Sequence, residues 1–241
     1  MLYIFGDSFA DNSNNVDWSW TYLVAATLGH DQRNFGRGGS GLEYTFEQFE
    51  QCRKYITKHD LVIVCLTHEG RGYFFKDFPV LSSAELINYV PPESRKKISR
   101  DEMLAIKYYQ TNFSDIHTTK MKLHVVNFLH SVDSLAAELK IKIVIINAVS
   151  DTVIDCARYT NLIMSDGSLD SVSAAEFATT ELATQFDEQR WPDPRPNHLR
   201  RSNHAILAKK VVDTITTNVA LDLTSGFNEK IIKELTFLRE I

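Results

Sequence analysis

The sequence predicts an α/β fold, a three-layer α/β/α sandwich with a central parallel sheet. Short apolar runs alternate along the chain with segments of helical periodicity, as in successive β-α-β units. The runs at 61–66 and 141–147 are rich in β-branched residues, which is typical of strands buried on both faces. No internal repeat and no linker-like change of composition divides the 241 residues, so we predict a single domain over 1–241.

Apolar spacing locates the elements of the first half of the chain. Asp17 is the predicted N-cap of the first helix, and Gly29 is its predicted C-terminal cap. The predicted order is strand 2–5, helix 18–28, strand 32–35, helix 42–58 and strand 61–66.

The second half holds a long irregular interval and then further α/β units. Residues 70–115 are too long for a simple crossover and contain an aromatic patch and a basic stretch, so we interpret them as an insertion and a candidate lid. The predicted elements after it are helix 118–139, strand 141–147 and helices 174–186, 203–219 and 228–238.

Composition and charge exclude several classes of function. With 26 basic and 31 acidic residues, the formal net charge is −5, so we expect no nucleic-acid partner. No segment approaches the roughly 18 apolar residues of a membrane span, and the first residues lack the basic start of a signal peptide. Three widely spaced cysteines are typical of free thiols in a reducing compartment. The sequence therefore predicts a cytoplasmic protein.

Polar loops after predicted strands hold the candidate catalytic residues, because ligands bind outside the carboxyl ends of strands in open parallel sheets. Ser8 directly follows the first strand, where its hydroxyl can act as a nucleophile or merely cap a turn. Gly39 lies in a glycine-rich loop that can bring a backbone N–H to an oxyanion or form a tight turn. His198 precedes the helix predicted at 203–219, and Asp193 lies close upstream.

Three ordered blocks resemble the SGNH hydrolases, the GDSL-type esterase and lipase family. Gly6-Asp7-Ser8-Phe9 is similar to the first block, which supplies the nucleophilic serine. Residues 34–39 resemble the second block, whose glycine supplies an oxyanion N–H. His198, followed by His204 and Ala208, resembles the last block, which supplies the catalytic histidine. The resemblance implies the flavodoxin-like SGNH form of the α/β/α sandwich.

Two positions depart from the family pattern. Where the family has an asparagine oxyanion donor after the third strand, this chain has His68, which we predict as a donor beside the N–H groups of Ser8 and Gly39. The place of the family acid is occupied by Arg195, so Asp193 is the predicted acid. The predicted substrate-binding residues are Asp7, Thr67, Arg71 and Arg195.

The resemblance implies a serine esterase that hydrolyses short-chain or carbohydrate O-acetyl esters through a Ser8-His198-Asp193 triad. It implies no metal, no organic cofactor, and a small-molecule or glycan ester as partner. Two alternatives stay open, a catalytically silent glycan- or protein-binding module and an acyltransferase on the same fold. In its lack of a signal peptide and in its altered third block, the sequence also resembles phage-encoded members of the family. The oligomeric state is left open.

Overall fold

The computed structural model describes residues 1–12, 17–69, 71–75, 78–81, 100–149, 154–172, 199 and 201–227. Strands and helices alternate through most of these ranges. The elements are β1 (Leu2–Gly6), α1 (Trp20–Leu28), β2 (Gln32–Gly36), α2 (Leu42–Arg53), β3 (Leu61–Leu66), β4 (Arg71–Phe75), β5 (Phe78–Leu81), α3 (Arg100–Leu139), β6 (Ile143–Asn147), a 3₁₀ turn (Cys156–Arg158), β7 (Leu162–Asp166), α4 (Leu169–Val172), α5 (Arg201–Thr217) and β8 (Leu221–Asp222).

Six strands form one parallel sheet in the order β2-β1-β3-β6-β7-β8. The chain moves outward from β1 to β2 and then continues with β3 on the other side of β1. The order therefore reverses between β1 and β3, and the loops leaving these two strands flank the crevice where ligands bind in such sheets. β4 and β5 form a separate antiparallel hairpin.

Alternating side chains of the strands fill two cores, one on each face of the sheet, because successive residues of a strand point to opposite faces. The first core joins the sheet to α1 and α5 through Leu2, Ile4, Ile63, Val144, Trp20, Val24, Leu207 and Val211. The second joins it to α2 and α3 through Tyr3, Phe5, Val64, Ile145, Phe49, Val125, Leu129 and Val132. These three layers confirm the predicted sandwich.

Most elements predicted within the described ranges are confirmed with small shifts at their ends. The strands predicted at 2–5, 32–35, 61–66 and 141–147 correspond to β1, β2, β3 and β6. Gly29 is the C-terminal cap of α1, in the left-handed conformation with φ 67°. The helices predicted at 18–28, 42–58 and 203–219 correspond to α1, α2 and α5.

Three expectations need correction. The N-cap of α1 is Ser19 and not Asp17, because the Ser19 hydroxyl accepts the hydrogen bond from the N–H of Tyr22. The helix predicted at 118–139 is the end of the much longer α3, which begins inside the interval expected to be an insertion. Strands β7 and β8 had no expected counterpart.

Several predictions concern residues beyond these ranges. The helices expected at 174–186 and 228–238 lie outside the described residues. Within 70–115 the structure gives the β4–β5 hairpin and the start of α3, and the role of this interval as a lid stays a prediction. Among the residues that the structure describes, no helix is long and apolar enough to cross a membrane.

Candidate active site

The loop after β1 forms a tight turn around Ser8. The backbone carbonyl of Asp7 accepts hydrogen bonds from the N–H groups of Ala10 at 3.1 Å and Asp11 at 3.0 Å. The Asp7 carboxylate oxygen Oδ1 accepts a third from the N–H of Phe9 at 3.0 Å. Ser8 therefore lies at the carboxyl edge of the sheet, in a turn held by these three hydrogen bonds, and the residue is 8% exposed.

A buried side-chain hydrogen bond joins the loop after β1 to the loop after β3. The Thr67 hydroxyl donates to Oδ2 of Asp7 at 2.6 Å, and both residues are fully buried. Because β1 and β3 are parallel neighbours, their carboxyl ends bring these two side chains together. The bond holds the turn that carries Ser8. Substrate binding by Asp7 and Thr67 stays a prediction.

Gly6 is required by the close approach of β3. A Cβ atom on Gly6 would lie 2.7 Å from Cβ of Cys65 and 3.0 Å from Cβ of Ala10, so only glycine lets the chain pass there. Burial raises the pKa of the Cys65 thiol well above its usual value, and the nearby Asp7 carboxylate raises it further. Cys65 therefore stays a neutral thiol beneath the Ser8 loop and offers no competing nucleophile.

The glycine-rich loop after β2 is tied to the end of β1. The Gly6 carbonyl accepts hydrogen bonds from the N–H of Arg37 at 3.1 Å and from the Ser40 hydroxyl at 3.3 Å. The N–H of Gly38 donates to Oδ2 of Asp11 at 3.0 Å. Gly39 adopts φ 74°, a left-handed conformation that glycine reaches without steric cost. The loop is thus fixed against the turn that carries Ser8.

Most backbone N–H groups of the loops after β1 and β2 have an identified hydrogen-bond acceptor. Those of Phe9, Ala10, Asp11, Arg37, Gly38 and Ser40 donate to acceptors within the two loops. For the N–H groups of Ser8 and Gly39, the structure gives no acceptor among the residues it describes. Backbone N–H groups are the usual donors of an oxyanion hole, and this role of Ser8 and Gly39 stays a prediction.

The loop after β3 also contains His68 and Glu69. His68 is half-buried at the carboxyl edge, beside the Thr67 that is bonded to Asp7. Glu69 is fully buried. The backbone of Arg71 begins β4, and its side chain lies outside the described part. The oxyanion role of His68 and the substrate role of Arg71 stay predictions.

His198, Asp193 and Arg195 lie outside the described residues. Leu199, directly after His198, is 2% exposed and belongs to the core that joins the sheet to α1 and α5. α5 ends just before β8 begins, so it runs from the carboxyl edge of the sheet back to the amino edge. The helix that follows His198 therefore begins at the edge where Ser8 lies.

Two supporting residues were not expected from the sequence. The indole Nε1 of the fully buried Trp20 donates to the Phe9 carbonyl at 2.7 Å. The Asn34 side-chain amide donates to the Ala10 carbonyl at 2.8 Å, and its oxygen accepts from the N–H of Gly36 at 2.7 Å. Asn34 stands in the block that resembles the family, which is a usable signal, whereas the Trp20 contact has no local signature.

Metal-ligating side chains do not cluster in the described ranges, where no group of three or more His, Cys, Asp or Glu side chains could hold an ion. The structure does give a serine hydroxyl at a strand end, in a turn against which the glycine-rich loop is held. Such an arrangement can attack a carbonyl carbon and stabilise the negative oxygen that forms.

Comparisons with known proteins give a limited likeness. No family model matches the chain, and no curated protein matches it. The fold is similar to that of a member of the lipolytic protein G-D-S-L family from Veillonella parvula DSM 2008, with 12% identity, a TM-score of 0.42, and 89% of this chain and 97% of that chain covered. A proposed lipolytic protein of the G-D-S-L family from Desulfitobacterium hafniense DCB-2 is similar at 10% identity and a TM-score of 0.35, with 88% and 97% covered.

Proposed function

We propose that the protein is a serine esterase of the SGNH type that hydrolyses carboxylic esters. One observation supports this most strongly. Ser8 follows β1 at the switch point of the sheet, and its own N–H and that of Gly39 have no acceptor among the described residues. A nucleophile with two available backbone donors is what acyl transfer requires.

The proposed reaction proceeds through an acyl-enzyme. The Ser8 hydroxyl attacks the ester carbonyl while His198 accepts its proton, and the tetrahedral intermediate forms. His198 then gives that proton to the leaving alcohol oxygen as the C–O bond breaks. A water molecule, deprotonated by His198, then attacks the acyl carbon; the bond from that carbon to Ser8 Oγ breaks as His198 returns the proton to Oγ, which releases the carboxylic acid and free Ser8. Asp193 is proposed to orient the His198 ring and stabilise its positive form.

Oxyanion stabilisation is proposed to come from the N–H groups of Ser8 and Gly39, with His68 as a third donor in place of the family asparagine. Loss of one such donor typically lowers the rate about 10²–10³-fold. If the third donor were missing, we would expect a slow enzyme. His68→Ala therefore measures whether the substitution of asparagine by histidine is functional.

The proposed substrates are short-chain or carbohydrate O-acetyl esters. The resemblance to the SGNH family supports this choice, and Arg195, three residues before His198 in the sequence, is the side chain proposed to contact the sugar or another polar part. A glycan-binding module would instead show no turnover, and an acyltransferase would pass the acyl group to an added sugar.

Turnover of a chromogenic acetyl ester tests the proposal. We expect wild-type activity that Ser8→Ala abolishes while the melting temperature stays nearly unchanged. Ser134→Ala, which removes an exposed hydroxyl on α3, is the matched control and should keep full activity. Equal turnover by wild type and Ser8→Ala would show that Ser8 is not the nucleophile. Acylated sugar among the products would favour the transferase.

A further inference from the structure

The H-x5-H pattern contains a second histidine, His204, that the proposed reaction does not use. It lies in the first turn of α5 and is 6% exposed. A histidine buried at that position needs hydrogen-bond partners, because an unpartnered buried polar group is costly. One partner of its ring is a backbone N–H group of α1, 184 residues away in the sequence.

His204 caps the start of α1. Its ring nitrogen Nδ1 accepts a hydrogen bond of 3.1 Å from the N–H of Trp20, the first residue of that helix. The first N–H groups of a helix have no partner inside the helix. Ser19 accepts the N–H of Tyr22, so two residues from different parts of the chain share the capping of α1. Since Nδ1 accepts, the ring is neutral and its proton is on Nε2.

Trp20 continues the connection to the candidate nucleophile. Its N–H is held by His204, and its indole Nε1 donates to the carbonyl of Phe9 at 2.7 Å. Phe9 follows Ser8 directly, and its own N–H is bonded to Asp7. Two hydrogen bonds, one from the backbone N–H and one from the indole of the fully buried Trp20, therefore link the first turn of α5 to the turn that carries Ser8.

The orientation of the His204 ring is also fixed. The Trp18 ring packs edge-on against it, with ring centroids 5.0 Å apart and an interplanar angle of 82°. An imidazole held by both a ring contact and a backbone donor has little freedom to rotate. A ring held in this way can fix the position of Trp20 relative to α5.

We propose that His204 is a positioning residue that sets the Ser8 turn relative to the start of α5, the helix directly after His198. This inference rests on the proposed function, in which Ser8 and His198 must be within reach of one another. Small misplacements of reacting groups are costly, since an error of about 1 Å can lower a rate about 10²-fold.

The test uses two substitutions with opposite properties. His204→Phe keeps a ring against Trp18 but removes the acceptor, whereas His204→Asn keeps an oxygen acceptor near the position of Nδ1. Asn203→Ala is the matched control, because it removes the hydrogen bond of 3.2 Å from Asn203 to the Val172 carbonyl in the same turn of α5. The readouts are kcat and KM for the acetyl ester, melting temperature, and amide hydrogen exchange of Phe9, Ala10 and Asp11.

We expect His204→Phe to lower kcat about 10²-fold, to leave KM nearly unchanged and to speed amide exchange in the Ser8 turn. His204→Asn should have a kcat and an amide exchange rate close to those of the wild type. Asn203→Ala should lower the melting temperature without changing exchange in the Ser8 turn. Unchanged exchange in His204→Phe, or equal defects in the Phe, Asn and control variants, would overturn the proposal. Wild-type protein without any turnover would contradict the proposed function alone, because the exchange measurement still decides whether His204 holds the turn.

Discussion

The two edges of the central sheet differ in the burial of their polar side chains. At the carboxyl edge, Asp7, Thr67 and Glu69 are fully buried, and the first two share a hydrogen bond of 2.6 Å. At the amino edge there is a cleft of about 640 Å³ with an apolar floor. Its basic lining residues are all exposed, namely Lys58, His59, Lys140 and Lys142.

The two edges therefore differ in how strongly the fold constrains their polar side chains. A buried polar group left without a partner costs about 1–3 kcal/mol, so the fold must supply each one at the carboxyl edge with defined partners. Solvated lysines at the amino edge carry no such cost. Lys140 directly follows α3, where a cation interacts favourably with the negative end of the helix dipole.

Removal of the proposed base should have the largest effect. We expect His198→Ala to lower kcat on the order of 10⁶-fold, as much as Ser8→Ala, and the double variant to lose little more, because triad members act as a unit. Steady-state kinetics gives kcat for the two single variants and the double variant. Lys58→Ala at the amino edge is the control and should keep wild-type kcat. Losses that multiply in the double variant would contradict a shared mechanism.

The proposed acid should matter almost as much. Asp193→Asn favours the wrong imidazole tautomer, and the analogous change in a serine protease lowers kcat about 10⁴-fold. We expect a loss of that order with little change in KM or melting temperature. If the variant keeps most of its activity, Asp193 is not the triad acid, and a backbone carbonyl or a water molecule must hold the ring.

Thr67→Val tests the buried link between the two loops. The substitution keeps the shape of the side chain but removes the hydrogen bond from Thr67 to the buried Asp7 carboxylate, so we expect a loss of about 1–3 kcal/mol in the free energy of unfolding. Urea unfolding measures it, and Thr67→Ser, which keeps the hydroxyl, should lose less. A valine variant as stable as wild type would show that the link does not stabilise this edge.

Asp60 at the amino edge should give the smallest effect, with a defined pH dependence. Burial would raise its pKa, but hydrogen bonds from the Met1 ammonium and from Thr57 outweigh this and lower the pKa below 3.8. A lowered pKa stabilises the fold at neutral pH, and the contribution is lost as the pH falls through the native pKa. We expect Asp60→Asn to lower stability by about 1–2 kcal/mol at pH 7.

Urea unfolding of wild type and Asp60→Asn at several pH values checks this expectation. The difference between the two proteins should shrink as the pH falls below about 4, where the carboxyl group of the unfolded chain takes up its proton. A difference that stays constant down to acid pH would mean that the ionised Asp60 does not stabilise the fold.

The sequence allowed most of the sheet to be predicted, and the exceptions have a common cause. β3 and β6 carry continuous apolar runs that a local pattern detects. β7 reads Leu-Ile-Met-Ser-Asp and β8 has only two residues, so pairing with neighbouring strands rather than local preference makes them strands. Likewise, Ser19 rather than Asp17 caps α1, because α1 begins at Trp20 and the Ser19 hydroxyl accepts the N–H of Tyr22.

Part of the candidate site was also predictable. Ser8 and Gly39 stand in loops directly after strands, which a pattern of apolar runs and glycines reveals. The contact between Thr67 and Asp7 could not be predicted, because it depends on the register that aligns β1 with β3. The indole of Trp20 reaching the Phe9 carbonyl depends in the same way on how α1 packs onto the sheet. Such contacts between distant segments have no local sequence signature.

Labelling with a fluorophosphonate probe tests the central claim most directly, because the probe reacts with a serine hydroxyl only where that hydroxyl is activated. Peptide mapping by mass spectrometry would locate the modified residue in the wild type, in Ser8→Ala and in His198→Ala. We expect one label on Ser8 in the wild type, none in Ser8→Ala and strongly slowed labelling in His198→Ala. A wild-type protein that stays unlabelled, or that carries the label on another residue, would contradict the assignment of Ser8 as an activated nucleophile.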